Sequence, residues 1–359
     1  MSTSTTMRRI VVSLNEVAVE NVERPEPGPR DALVRMSVSG VCGSDTHAFH
    51  GRHPFIPLPY HPGHEVVGVV EATGSEVTTA MTGQRVTVEP TLPCGHCKMC
   101  TTERSNLCEN LQFFGCGWTQ GGMADYFTIS ADRLHAVPDD LDDFTAALIE
   151  PLSTPVHAVR LAGSLAGKSV VILGAGVIGL LLLAVVRASG PKRVVVTDVL
   201  PAKRERALSL GADSVADAAA EDVADQVRGA LGESADVVFD CVAIQSTVTQ
   251  AVSLASKGGT VVVVGVPARD VTVPLPIIQD HQIRIQGSAT YLAEDYDAAI
   301  RLLQDGAVRK ADIVTAVHGL NDAADAFAES SSGEHIKVLV ASEDSEDEWL
   351  RSLSPPNSL

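Results

Sequence analysis

At 359 residues, with 45% hydrophobic and 20% charged content, the chain exceeds one small core and reads as two globular domains. A formal net charge of −18 repels phosphate backbones and anionic lipid, so neither nucleic acid nor a membrane surface is an expected partner. The apolar run VIGLLLLAVV is too short to span a bilayer and MSTSTTMRRI has no apolar signal region. The expected setting is therefore cytoplasmic, where thiols stay reduced.

In chain order, MSTSTT is expected to be disordered. The runs DALVRMSVSG, HEVVGVVEATG, QRVTVEP and ADYFTIS are Val-rich and bounded by Gly, Pro and Asp. They predict short strands in a small barrel or strongly bent sheet. Within this region CGHCKMCTTERSNLC places Cys94, Cys97, Cys100 and Cys108 in fifteen residues. Four thiolates suit a closed tetrahedral zinc with no position left for chemistry. Pairing into disulfides is the alternative, disfavoured in a reduced compartment. Cys116 and Cys241 are expected to be small packing residues.

From about residue 165 the rhythm becomes strand, helix, strand, helix. SVVILG, RVVVTD, ADVVFD, GGTVVVVG and IRIQGSA are the predicted strands of a doubly wound parallel sheet. LGAGVIG supplies Gly174, Gly176 and Gly179 between the first strand and its helix, with Val177 and Ile178 opening that helix. Gly174 permits the turn, Gly176 admits a pyrophosphate at the helix N-terminus, and Gly179 lets helix and sheet approach. Asp198 closes the second strand and can accept from the adenosine ribose hydroxyls, which favours NAD over NADP. Lys203 and Arg204 nearby could tolerate a 2′-phosphate, or Lys203 could instead bond the ribose. Two helices, YDAAIRLLQDG and NDAADAFAESSSG, and the strand IKVLVA follow. The acidic end, residues 343–359, is expected to be disordered. These breaks divide the chain into a catalytic domain, 1–155 completed by 291–342, and a dinucleotide domain, 156–290.

A second group of chemistry-bearing residues is dispersed. GVCGSDTHAFHG carries Cys42, Ser44, Asp45 and His47; HPGHEVVG carries His64 and Glu65; LIEPLSTPVHA carries Glu150. One thiolate, one imidazole and two carboxylates suit a catalytic zinc with an open position.

The order GVCGSD, GHE, four-cysteine loop, IEPLS, LGAGVIG resembles the zinc-dependent medium-chain alcohol dehydrogenases over roughly residues 8–340. The resemblance implies a GroES-like catalytic domain around a Rossmann cofactor domain, and a homodimer or homotetramer. Glu150 stands where the liver-type enzymes carry cysteine, which points to the sorbitol, threonine and butanediol branches. In those branches the pattern implies Cys42, His64 and Glu65 as zinc ligands, with Glu150 bound directly or through water. It also implies a relay from the substrate hydroxyl through Ser44 and the nicotinamide ribose to His47. Thr290-Tyr291 replaces Arg-Tyr and Ala48 replaces Tyr at polyol-contacting positions of sorbitol dehydrogenase. The implied reaction is NAD-linked oxidation of a secondary alcohol or another polyol. Oxidation of an amino alcohol such as L-threonine, and a catalytically silent nucleotide-binding relative, are the alternatives.

Overall fold

The computed structural model describes residues 6–353. The expected disorder of residues 1–5 and 354–359 lies outside them. The chain opens with β1 (Thr6–Ser13), β2 (Glu16–Glu23), β3 (Asp31–Val41), α1 (Gly43–Phe49), β4 (Glu65–Thr73) and β5 (Arg85–Val88). Next come β6 (Thr91–Leu92), α2 (Lys98–Thr101), β7 (Gln112–Phe113), β8 (Tyr126–Ser130), β9 (Leu134–Ala136) and α3 (Asp143–Ala146). Helix α4 (Ile149–Ala162) leads to β10 (Ser169–Leu173), α5 (Val177–Ala188), β11 (Arg193–Asp198), α6 (Pro201–Ser209), β12 (Ser214–Asp217) and α7 (Val223–Leu231). The alternation continues with β13 (Ala235–Asp240), α8 (Gln245–Leu254), β14 (Ala255–Val263), α9 (Leu275–His281), β15 (Arg284–Gly287) and α10 (Ala293–Gln304). Last are α11 (Lys310–Ile313), β16 (Val314–Gly319), α12 (Ala323–Ser332), β17 (Lys337–Ala341) and α13 (Glu343–Leu353).

Two compact units result: residues 1–150 with 309–359, and residues 151–308. In the first, the sheet runs β16-β17-β3-β4-β5-β9, with β8 also paired to β3. Its pairs are antiparallel except β16 with β17. Register shifts at Leu33/Val34 and Met36/Val38 break the β3–β4 ladder twice, and irregularities of this kind favour a bent strand. Ile10, Val34, Met36, Val66, Phe114, Phe127 and Phe327 centre its core.

In the second unit six strands pair in parallel, in the order β12-β11-β10-β13-β14-β15. Strand β10 is buried at every position, as a strand covered on both faces must be. Its continuous apolar run carries no period-2 alternation for that reason.

Two boundaries differ from the sequence expectation. The stretch 291–308 groups with the dinucleotide unit, because Asp295 of α10 accepts from Arg160 of α4 at 2.9 Å and lies 2.9 Å from His157 Nδ1. Tyr291 and Tyr296 also stack edge to face in that unit, with ring centroids 5.3 Å apart. Residues 343–353, expected as disordered tail, form α13. The acidic composition conceals one inward face: Ser345 is buried, and Trp349, four residues on, packs 5.1 Å from Phe144. Among the described residues no helix is long and apolar enough to cross a membrane.

Candidate functional site

Strand β3 ends at Val41 and α1 begins at Gly43, so Cys42 falls on the N-cap between them. The turn is locked from both sides: Cys42 N–H donates to Asp45 Oδ2 at 2.9 Å, and Asp45 N–H donates to Cys42 O at 3.0 Å. Asp45 is fully buried and also accepts from Tyr60 Oη at 2.7 Å. Burial raises the Asp45 pKa, although His64 and the Tyr60 hydroxyl oppose it. Burial beside that carboxylate also drives the Tyr60 phenol strongly upward.

His64 immediately precedes β4 and Glu65 opens it, beside β3, where Gly40 faces Glu65 across the ladder. A Cβ at Gly40 would collide with the Glu65 carboxylate, so that glycine makes room for the acid. Adjacent strands thus bring Cys42, His64 and Glu65 together, with one ligand atom from each lying within 4.8 Å of the others. His64 and Glu65 are buried to 3% and 1% exposure. Burial works against the His64 imidazolium, but the sulfurs of Cys116 and Cys42 and the Asp45 carboxylate outweigh it and raise the pKa well above the ordinary value. The donor set of thiol, imidazole and carboxylate suits zinc.

Glu150, also buried, stands at the first turn of α4. It lies outside the group of mutually close ligand atoms but near enough to favour the charge on Lys337. Ser44 and His47 follow Cys42 on α1, half-buried and exposed respectively. Ala48 is buried at 1% in the core, and Tyr291 at 2%. Thr290, which stands where the sorbitol pattern has Arg, is half-buried.

Two residues at the site carried no sequence signal. Lys337 of β17, 2% exposed, donates to both Glu65 oxygens at 2.7 Å and to Val41 O at 3.1 Å. Burial opposes its charge, yet Glu65 and Cys42 prevail and its pKa is raised. Cys116, expected as packing, has its sulfur 3.2 Å from His64 Nδ1, and burial pushes its thiol up to about 11. The expectation treated it as a lone residue, because nothing in the spacing ties it to His64.

The four-cysteine loop brings Cys94, Cys97, Cys100 and Cys108 within 4.8 Å of one another. The Cys97–Cys100 and Cys97–Cys108 sulfur separations are 3.5 and 3.9 Å. Tetrahedral zinc with bonds of about 2.3 Å requires about 3.8 Å, so the loop fits that ion. Backbone N–H groups of Cys94 and Asn110 point at Cys108 Sγ from 3.2 and 3.3 Å, and those of His96 and Cys97 pull Cys94 down to about 6. All seven cysteines are free thiols, so the disulfide alternative is not adopted.

In the second unit Gly174 turns the chain at φ +96°, and a Cβ on Gly179 would strike its carbonyl oxygen. Gly176, the N-cap of α5, would aim a Cβ into open space, which is the cradle a pyrophosphate needs. Asp198 ends β11; Ala175 N–H donates to its Oδ2 at 2.8 Å and Leu200 N–H to its Oδ1 at 2.9 Å, which holds the carboxylate at the glycine turn.

Comparison with known proteins agrees with both units. Residues 28–139 match the alcohol dehydrogenase GroES-like domain model, and 177–305 match the zinc-binding dehydrogenase model. D-xylulose reductase A of Aspergillus oryzae is 34% identical, over 90% of this chain and 93% of that one. Sorbitol dehydrogenase of Ovis aries is 32% identical, over 92% and 95%. The solved 2R,3R-butanediol dehydrogenase of Bacillus subtilis superposes with a TM-score of 0.86 at 26% identity, over 93% of this chain and 99% of that one. With such identity sustained over nine-tenths of both chains, the protein belongs to the zinc-dependent medium-chain alcohol and polyol dehydrogenases, enzymes that move hydride between NAD and secondary alcohols or polyols.

Proposed function

We propose that the chain reversibly oxidises a secondary alcohol carrying fewer hydroxyls than sorbitol, using NAD and two zinc ions per chain. The observation that carries this reading is the convergence of Cys42, His64 and Glu65 within 4.8 Å in a chain that keeps the glycine turn and Asp198. A zinc ion held by this group would supply Lewis acidity, and NAD bound at the glycine turn would supply the hydride acceptor.

Cys42 and His64 are the fixed ligands. Glu65 or Glu150 completes the set, and Lys337 governs how freely Glu65 can turn toward an ion, since it grips both oxygens. Ser44 takes the substrate proton, because a hydroxyl can accept and donate in one step. His47 lies three residues on, along the same helix face, and its exposure lets it pass the proton to water. Gly174, Gly176, Val177, Ile178 and Gly179 receive the pyrophosphate. Asp198 would accept from the adenosine ribose and would repel a 2′-phosphate, with Lys203 beside it. Thr290 and Ala48, in place of the Arg and Tyr of the sorbitol pattern, support a substrate with fewer hydroxyls to satisfy.

The assembly is a homodimer or homotetramer. The open edge of β15, with Ile285 exposed at 40% and Ile277 at 43% on the preceding helix, supports this. A cytoplasmic setting, which keeps the zinc thiolates reduced, is part of the same proposal.

The test is a screen of secondary alcohols, vicinal diols, polyols and L-threonine with NAD and NADP in parallel. Turnover with NAD on a short diol or simple secondary alcohol is expected. Silence with every alcohol, in protein that holds zinc and binds adenosine nucleotides, would sink the reading.

A further inference from the structure

Cys116 belongs to neither metal group as the sequence divides them, yet its place against His64 is built by the backbone. Gly115 and Gly117 flank it with φ of +73° and +93°, a course that side chains rarely adopt. A Cβ on Gly115 would come within 2.5 Å of the Gly63 carbonyl and 2.8 Å of the His64 nitrogen, so this loop lies directly on the backbone that carries the ligand. Gly122 N–H donates to Gly63 O at 2.7 Å, and Gly115 N–H donates to Gln120 O at 3.1 Å, which fixes both ends of the loop. The Phe113 ring meets the imidazole edge to face, with centroids 5.8 Å apart.

An imidazole that binds a metal through one nitrogen presents an N–H at the other, and the partner of that N–H decides tautomer and ring orientation. Nδ1 of His64 faces the Cys116 sulfur at 3.2 Å. A His64 nitrogen, an Asp45 oxygen and this sulfur also lie within 4.8 Å of one another, while Asp45 itself accepts from Tyr60 Oη and Cys42 N–H. We infer that Cys116 is a positioning residue for the catalytic metal: its sulfur accepts the Nδ1–H of His64 and leaves Nε2 to the ion. The inference rests on His64 being a metal ligand.

The test uses the full-length protein without substrate. Metal affinity at the site is measured by competition with a chelator, and ligand geometry by the visible absorption of the cobalt(II)-substituted protein. Cys116→Ser keeps an acceptor and should stay within about threefold of the wild type. Cys116→Ala should lose about 10- to 100-fold in affinity, with shifted cobalt bands. Cys116→Val removes the acceptor while filling the space, so it decides the matter if the alanine variant does not fold. Valine or alanine variants that bind as tightly as the wild type, with unmoved bands, overturn the inference alone. A wild-type protein holding metal only in the four-cysteine loop overturns the ligand reading, and the inference with it.

Discussion

Lys337 and Glu65 form an ion pair in which neither side chain is more than 2% exposed. Removing the cation strands a buried carboxylate, so Lys337→Ala should cost roughly 3–5 kcal/mol of stability, read from denaturant midpoints. The two metal groups should answer mutation differently. Cys42→Ala is expected to abolish turnover while leaving the melting temperature nearly unchanged. Cys97→Ala is expected to lower that temperature by roughly 3–4 °C, the counterpart of about 2–3 kcal/mol at this length. The reverse pattern would show the roles exchanged. The grouping of Cys42, His64 and Glu65 was legible only from the order of the motifs taken together, since none of the three stands out alone in its own segment. Lys337 was not, since 272 positions separate it from Glu65 and a lysine within IKVLVA looks like any strand residue. Cys116 was hidden in the same way, 52 positions from the imidazole it touches.

Glu89 joins β5, β9 and the start of the four-cysteine loop. It is 3% exposed and accepts from Arg133 at 3.0 Å and Thr91 at 2.8 Å, with His135 Nε2 3.0 Å from its other oxygen. Burial pushes its carboxyl up, but these partners prevail and hold it below the ordinary value. A depressed carboxylate stabilises the fold above the unfolded pKa of about 4.3 and loses that contribution as pH falls through the folded value. Glu89→Gln should therefore cost about 3 kcal/mol at pH 7, with the gap closing below about pH 4 in pH-dependent unfolding. Helix α5 is as intolerant at Gly179, where a Cβ meets the Gly174 carbonyl. Gly179→Ala should weaken NAD binding at least tenfold in a fluorescence titration, whereas Gly229→Ala, on α7 with nothing within 4 Å of its Cβ, should leave NAD affinity unchanged. The Rossmann elements were legible because buried parallel strands and glycine turns leave strong local patterns. Helix α13 was not, because its inward face rests on Ser345 and Trp349 within an acidic run.

Over the whole molecule, the order of motifs foretold two units, but local composition could not settle to which unit 291–308 attaches. That stretch is fixed by His157 and Arg160 meeting Asp295, a contact across more than 130 positions. The formal charge of −18 disfavours polyanionic partners over the molecule as a whole. The central claim is that one ion joins Cys42 of one strand end to His64 of the next. Anomalous difference density collected across the zinc edge tests it most directly. The account predicts two peaks per chain, one among Cys94, Cys97, Cys100 and Cys108 and one bonded to both Cys42 Sγ and His64. A catalytically active crystal form with density at the four cysteines and none between Cys42 and His64 would contradict it.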